Sequence, residues 1–326
     1  KIKKKTLIII LIYFYMLISK IFNSKSKIFS RTIHTLNSCS KQEHILNAGC
    51  LSFIDHIYHK NIHDYNECMK LRDEINITKK YGFRDDTKHI RDSKWIIDEL
   101  PQNLHKRHVE ITGPGNNKRM VINAFNSGAD GYMLDLEDSM TPSWYNIINA
   151  QYNIKKAARE ELKDVKINEQ GEVVKKYEIN KDNQPTFFVR TRGLHMMEEN
   201  VIINNKPIPA IFFDMATFMY HNAQYLLDNN KGPYLYIPKL ESYEEAELIN
   251  NLLVDIQNEL SIPIGSTKVT CLIETYPAIY QTEEIIYALK DHIAALNCGR
   301  WDYLFGMIKS LDGEKIMPYR DELDMN

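Results

Sequence analysis

Two apolar segments in the last fifth of the chain each end in a carboxylate. Residues 269–274 read Val-Thr-Cys-Leu-Ile-Glu, and residues 296–302 read Leu-Asn-Cys-Gly-Arg-Trp-Asp. Each pattern predicts a strand that is followed by an acidic side chain, Glu274 in the first and Asp302 in the second. Because ligands of α/β proteins bind beyond the carboxyl ends of parallel strands, we expect both carboxylates at one site. Such a pair favours a hard metal ion, of which Mg²⁺ is the natural candidate.

Three more charged side chains follow predicted strands. Strand alternation puts Asp135 and Glu137 on one side of the chain, and Arg190 ends another apolar run. We predict that Glu274 and Asp302 are direct ligands of Mg²⁺, and that Asp135 and Glu137 hold its water molecules. A guanidinium beside such a site can bind a carboxylate or stabilise a developing oxyanion, so Arg190 is the candidate catalytic residue.

Structural explanations compete with these roles. A single carboxylate after a strand is more often a helix N-cap than a ligand, and Asp138 fits a turn or a cap. Arg192 and Lys239 would then serve only to pair with Glu241 or Asp302. The histidines at 195 and 221 are expected to be packing or surface groups. Acidic and basic groups at four strand ends together still favour a site.

The elements that must position these residues form an alternating series. Helical and strand-like patterns follow one another, which predicts a parallel sheet with helices on both faces. No GxGxxG motif follows the first strand, so a (β/α) barrel is a better prediction than a dinucleotide-binding fold. The polar turn within 163–184 predicts an inserted hairpin. The predicted strands are 109–112, 131–136, 186–191, 234–238, 268–273 and 293–297, and the predicted helices are 43–76, 120–127, 144–161, 215–227, 243–260 and 282–289.

These elements predict an α/β fold that is an incomplete TIM-type (β/α) barrel. A complete barrel has eight strands and about 250 residues, whereas about six strands are recognised here. We therefore divide the 326 residues into a leader (1–42), an N-terminal helical segment (43–105) and a partial barrel (106–326), and we expect a truncated chain.

Composition narrows the classes of protein. The net charge of −2 gives no reason to expect a nucleic-acid partner. Five cysteines without a CxxC motif favour a reducing compartment, and Cys271 and Cys298 are expected in buried strands. The leader is apolar at 6–18 and has no acidic residue before Glu43. A mitochondrial transit peptide, another leader or translated upstream sequence, and a membrane anchor all stay open for it.

Ordered motifs resemble the shorter, A-type malate synthases of the glyoxylate bypass. The resemblance extends from about His44 to the end of the chain. The motifs are ITGP at 111–114, MVINA at 120–124, DLEDS at 135–139, VRTRGLH at 189–195, YHNA at 220–223, GPYLYIPK at 232–239, LIET at 272–275 and LNCGRWDY at 296–303.

The resemblance implies an acyltransferase that condenses acetyl-CoA with glyoxylate and hydrolyses the thioester to malate and CoA. It places the Mg²⁺ ligands at Glu274 and Asp302 and the catalytic arginine at Arg190. Backbone N–H groups around Gly299, Trp301 and Asp302 would bind the glyoxylate carboxylate. Asp135 and Glu137 match carboxylates near the metal, and the implied partners are glyoxylate and acetyl-CoA alone, with no membrane partner for the folded domain.

One feature of the family has no counterpart here. Its general base is an aspartate of a C-terminal helical domain, and we find no general base and no such domain in this chain. Two alternatives therefore stay open, namely a metal-dependent lyase or aldolase of the citrate-lyase β type and a non-catalytic remnant. The resemblance implies a peroxisome or glyoxysome, whereas the acid-free N-terminus leaves the mitochondrion as an alternative, and the oligomeric state cannot be read from the sequence.

Overall fold

A six-stranded parallel sheet forms the centre of the molecule. The computed structural model describes residues 33–311, so the predicted leader lies largely outside the described residues. Neighbouring strands follow the order β11-β10-β9-β6-β3-β2. These strands are β2 (Glu110–Pro114), β3 (Gly131–Asp135), β6 (Thr186–Arg190), β9 (Tyr234–Ile237), β10 (Lys268–Ile273) and β11 (Ile293–Cys298).

The predicted fold class is confirmed. All six predicted strands are present within a few residues of their expected bounds, and every neighbouring pair in this sheet is parallel. Within residues 33–311 the sheet stays open, with β2 and β11 at its edges, as an incomplete TIM-type barrel requires. The predicted hairpin is also present, as the antiparallel strands β4 (Lys163–Ile167) and β5 (Val173–Glu178).

Helices follow the strands and bury apolar faces against the sheet. Near-continuous runs of Leu, Ile, Val and Phe on the strands give one extended core, because a parallel sheet is covered on both faces. The helices are α1 (Gln42–Ile45), α2 (Ala48–Thr78), α3 (Lys88–Asp92), α4 (Lys118–Phe125), α5 (Trp144–Ala158), α6 (Ala210–Asp228), α7 (Tyr243–Leu260), α8 (Thr282–Ala288) and α9 (Arg300–Ser310).

The long helix α2 packs against α6 and α7. The single helix predicted over 43–76 is two helices, because the chain leaves helical geometry at Leu46 and starts again after Asn47. The Asn47 side chain caps α2 by accepting a hydrogen bond from the Cys50 N–H. Phe53, Ile54, Ile57, Tyr58 and Tyr65 of α2 are buried.

A three-stranded antiparallel sheet lies outside the predicted elements. It consists of β1 (Ile33–Thr35), β7 (Met197–Ile203) and β8 (Lys206–Pro209), in the order β1-β7-β8. The Asn204-Asn205 pair turns β7 into β8 with positive φ angles of 52° and 61°, which suit a two-residue hairpin.

The prediction that Cys298 lies in a buried strand is wrong. Cys271 is buried in β10, whereas Cys298 is exposed in β11 and Leu296 is 38% exposed. The physical reason is the position of β11, which pairs with β10 on one side and with no other strand of the described region on the other side. None of the helices between residues 33 and 311 combines the length and apolar composition needed to cross a bilayer.

Candidate active site

Helix α2, the segments that follow β9 and β10, and helix α9 surround a cavity of about 510 Å³. Glu274 and Asp302 both line it, as their positions after predicted strands suggested. Lys239 and His195 also contribute to its wall. The two predicted metal ligands therefore share one site, together with a lysine.

Glu274 is held in place by backbone on two sides. Its Oε1 accepts a hydrogen bond of 2.9 Å from the Lys239 N–H. Its Oε2 lies so close to Gly299 that a Cβ on that glycine would be 2.3 Å away. Burial raises the pKa of Glu274, and the negative charge of Asp302 raises it further, although Lys239 acts in the opposite direction. A glycine is required at 299 because no larger residue leaves room for this carboxylate.

The first turn of α9 faces the same cavity. Gly299 is the N-cap, and no side chain caps this end of the helix. The Gly299 N–H donates to the Ile273 carbonyl at 3.3 Å, whereas the N–H groups of the first helical residues have no partner inside the helix. Asp302 is partly exposed, and Trp301 is 67% exposed with Arg300 stacked on its ring at 4.6 Å. The N–H groups of Trp301 and Asp302 are thus suited to an anion.

Arg190 and Asp135 form a buried bidentate pair at the neighbouring strand ends. They are cross-strand partners in the register of β6 and β3. The Nε and Nη2 atoms of Arg190 lie 2.7 and 2.6 Å from the two carboxylate oxygens. Burial opposes ionisation of Asp135, but the hydrogen bonds and charge of Arg190 prevail and lower its pKa. Both groups are therefore charged and fixed in orientation.

Glu137 is the least satisfied carboxylate of the site. It is 4% exposed, and its Oε1 has no hydrogen-bond partner among the described residues. Its Oε2 lies 3.1 Å from Lys239 Nζ and 3.6 Å from Arg190 Nη1. Burial raises the pKa of Glu137 to about 7, against the lowering effect of Lys239. An orphaned buried carboxylate oxygen is what a bound cation would satisfy.

Lys239 supplies positive charge among these carboxylates. Its Nζ lies 3.1 Å from oxygens of Glu137 and Asp138 and 3.5 Å from Asp302 Oδ2. The neighbouring acidic groups raise its pKa despite its burial. In the described region no three His, Cys, Asp or Glu side chains converge on a common metal position. The donors nevertheless fit a hard cation, because they are all carboxylate oxygens and Glu137 retains an unsatisfied one.

The second arginine of the Arg-Thr-Arg motif has a different environment. Arg192 lies at 1% exposure and pairs with Asp214 and Glu198, each at 2.8 Å. The alternative that Arg192 pairs with Glu241 or Asp302 is wrong, because its guanidinium donates to Asp214 and Glu198 instead. Arg192 connects the end of β6 to α6 and to β7 through these ion pairs, and it does not line the cavity.

Sequence reasoning missed two contributors to the site. Asp138, which fitted a turn or a cap, accepts hydrogen bonds from Arg190 and Lys239, and the N-cap of the following helix is Ser143. For Lys239 the competing structural explanation was a pair with Glu241 or Asp302, and the lysine does contact Asp302, together with Glu137 and Asp138. A cation directly after the strand Tyr234–Ile237 was the available signal for Lys239.

His221 is a packing group, and His195 is a surface group in the wall of the cavity. His221 contacts the Ile45 carbonyl through Nε2 at 2.6 Å, and burial lowers its pKa to about 4. His195 lies beside the cavity, and burial, together with Arg72 and Lys239, lowers its pKa.

Several known proteins are similar to this chain over most of its length. Residues 186–326 match the family described as "Malate synthase, TIM barrel domain". The chain is 43% identical to the malate synthase of Myxococcus xanthus over 246 residues, which is 75% of this chain and 44% of that protein. It is 36% identical to malate synthase A of Escherichia coli over 292 residues, or 88% of this chain and 54% of that protein. The glyoxysomal malate synthase of Candida tropicalis is 38% identical over 293 residues, covering 87% and 52%.

The chain spans about half the length of the curated relatives it matches. The matched region includes Arg190, Glu274 and Asp302. The aligned parts of the chain are 36–43% identical to several malate synthases, and residues 186–326 match their barrel domain, so this chain is homologous to malate synthases over most of its length.

Proposed function

We propose that this chain carries the Mg²⁺-dependent site at which a malate synthase condenses acetyl-CoA with glyoxylate and hydrolyses the thioester to malate and CoA. The observation that carries the proposal is the common cavity of Glu274 and Asp302 at the start of α9, with Arg190 at the neighbouring strand end. The names of the related proteins support the same reaction.

The proposed metal ligands are Glu274 and Asp302. Glu137 would hold the water molecules of the ion through its unsatisfied Oε1. Asp135 has the weaker claim to that role, because both its oxygens already accept hydrogen bonds from Arg190. When bound, the ion would polarise the glyoxylate aldehyde as a Lewis acid.

Arg190 would stabilise the negative charge that develops on oxygen. Its Nε and Nη2 are committed to Asp135, so Nη1 is the nitrogen that can donate to a substrate oxygen. In the structure Nη1 contacts Asp138 at 3.1 Å, and the Asp138 side chain is half exposed and able to give way. A preorganised donor of this kind acts most strongly on the transition state.

The amino end of α9 would bind the carboxylate of glyoxylate. The N–H groups of Trp301 and Asp302 and the positive end of the helix dipole attract an anion. Gly299 would allow the substrate to approach the backbone closely. We assign no general base to residues 33–311, and acetyl-CoA would bring its methyl group to a base outside that set.

We propose the peroxisome or glyoxysome as the compartment. The relatives from Candida tropicalis and Brassica napus are named as glyoxysomal proteins. Fluorescence microscopy of the tagged full-length product against a peroxisomal marker tests this assignment, and diffuse or mitochondrial signal would contradict it.

The reaction is tested with the full-length gene product. We expect glyoxylate-dependent release of the CoA thiol from acetyl-CoA in the presence of Mg²⁺, and its loss with a chelator. On the 326-residue chain, calorimetry should detect Mg²⁺ binding that is weakened by Asp302→Asn. A folded full-length protein that releases no thiol would overturn the proposal.

A further inference from the structure

Arg72 reaches the site from a helix far away in sequence. It lies on α2, and its Nη2 donates a hydrogen bond of 3.1 Å to the Lys239 carbonyl. The same nitrogen lies 2.8 Å from Glu241 Oε1. Arg72 also lines the cavity that contains Glu274 and Asp302. A helix outside the parallel sheet thus holds the backbone of a strand end.

Several groups fix the guanidinium in this position. Glu245 approaches Arg72 Nη1 at 3.3 Å, and the Arg72 side chain is only 10% exposed. Asn76, one turn later on α2, donates to the second oxygen of Glu241 at 2.9 Å. Glu245 in turn accepts a 2.7 Å hydrogen bond from the Glu241 N–H. Buried charge-assisted contacts of this kind orient a side chain firmly.

The backbone that Arg72 holds is unusual. Lys239 has a φ of 57°, in the left-handed region that costs a residue with a Cβ about 1 kcal/mol or more. This conformation directs its N–H to Glu274 Oε1, while its carbonyl accepts from Arg72. The same residue carries the ammonium that contacts Glu137 and Asp302. We propose that Arg72 is a positioning residue, which places Glu274 for metal binding by holding the main chain of Lys239.

A second contact shows that α2 supports more than one strand end. Two helical turns before Arg72, the Tyr65 hydroxyl donates to the Leu194 carbonyl at 2.8 Å. Leu194 follows the strand that carries Arg190. Tyr65 and Arg72 lie on one face of α2, and together they connect this helix to the chain segments that carry the catalytic arginine and the metal ligand.

The inference rests on the proposed function for the metal but can be tested without turnover. Arg72→Met removes the contact to Lys239, and Arg72→Lys keeps the charge but loses the forked geometry. Arg84→Met is the matched control. Arg84 pairs with Glu244 of α7, the helix that also carries Glu245, the partner of Arg72, and it does not contact Lys239. Circular dichroism and thermal unfolding establish that each variant is folded.

Two measurements on the 326-residue chain separate the outcomes. Calorimetry with Mn²⁺ should give a Kd at least tenfold higher for Arg72→Met and an unchanged Kd for Arg84→Met. In the metal-free chain, site-resolved hydrogen exchange should be at least tenfold faster at the Lys239 amide in Arg72→Met and Arg72→Lys, but unchanged in Arg84→Met. Unchanged exchange in the Arg72 variants, or equal acceleration in the Arg84 control, overturns the inference. If the wild-type chain binds no Mn²⁺ while the exchange result holds, the metal assignment fails and the positioning of Lys239 stands.

Discussion

Arg190 and Lys239 contact the acidic groups of the site in different ways. Arg190 makes a forked pair with Asp135, whereas Lys239 presents a single ammonium to Glu137 and Asp138. A planar fork fixes direction and a point charge does not, so only the guanidinium arrives at a substrate oxygen in a defined orientation. This difference makes Arg190 the better candidate for stabilising an oxyanion.

Replacement of Arg190 by lysine tests that distinction. Arg190→Lys keeps the positive charge next to Asp135 but loses the nitrogen that is left for the substrate. We expect kcat of the full-length enzyme to fall by about 10²–10³-fold, the loss typical of a missing oxyanion donor. Steady-state thiol release measures it, and Mn²⁺ affinity should stay within a few-fold of wild type. A kcat within threefold of wild type would exclude the proposed role.

The sequence predicted which residues lie close together better than it predicted their contacts. The positions of Glu274 and Asp302 after strands were sufficient to place both in one cavity. The contact of Arg72 with Lys239 spans 167 positions along the chain, and helical periodicity carries no information about such a pair. Asp138 was assigned to a turn because nothing in its local sequence shows that Arg190 and Lys239 converge on it.

At the scale of elements, the close approach of β11 and β10 explains why residue 299 is a glycine. The pair Ile273 and Cys298 is the last in register, so Gly299 lies beside Glu274 one step further on. We predict that Gly299→Ala displaces this carboxylate, because the new Cβ would be 2.3 Å from Oε2. Mn²⁺ affinity should fall at least tenfold by calorimetry, and overpacking should cost about 1–3 kcal/mol of stability.

Gly306 provides the matched control in the same helix. A Cβ built there has no neighbour closer than 3.6 Å. Gly306→Ala should therefore leave Mn²⁺ binding unchanged and raise stability by up to about 1 kcal/mol, as expected for alanine inside a helix. Equal effects of the two alanines on Mn²⁺ binding would show that the close approach of Gly299 is irrelevant.

Arg192 and its partners join β6 to α6 and β7. Asp214 accepts hydrogen bonds from the Arg192 backbone N–H at 2.9 Å and from its side chain at 2.8 and 3.0 Å. We predict that Asp214→Asn lowers the free energy of unfolding by about 3–5 kcal/mol, because it breaks a buried ion pair. Urea unfolding measures this, and the partly exposed pair of Asp164 with Arg119 offers a control, for which Asp164→Asn should cost at most about 1 kcal/mol. Similar losses in both variants would contradict a special role for the buried network.

The elements that escaped prediction are short and depend on distant partners. Strand β1 has three residues, and it exists because Ile33–Thr35 pair with Val201–Ile203 of β7. Local pattern cannot reveal a strand that is defined by such a pairing. The long helices and the core strands were predicted because their apolar periodicity extends over many residues.

At the scale of the whole molecule, the parallel order of six strands brings the ends of five of them to one site. The sheet order places β3, β6, β9, β10 and β11 side by side. Sequence could predict this convergence, because parallel strands with crossover helices end at the same edge of a sheet. It could not predict that Leu296 and Cys298 are exposed, since burial depends on which strand, if any, covers the edge.

The stability of the whole fold should depend on pH through a buried histidine away from the site. His292 is fully buried, and its Nε2 accepts a hydrogen bond from the Gln257 side-chain amide at 2.8 Å while Nδ1 faces Asn250 Oδ1 at 3.0 Å. Burial lowers its pKa from 6.5 to about 4, with a smaller contribution in the same direction from Lys268 and opposing ones from Asp291 and Asp98.

Because the folded pKa lies below the unfolded one, the unfolded state takes up more protons between pH 6.5 and 4, and stability falls as the pH decreases through this range. The shift corresponds to a loss of about 2 kcal/mol between pH 7.5 and pH 5. Urea unfolding of wild type and His292→Gln across these pH values isolates this contribution, since other titrating groups cancel in the difference. The stability difference between the two proteins should shift by about that amount towards the variant as the pH falls. A difference that is constant with pH would mean that His292 does not titrate with the depressed pKa that its burial implies.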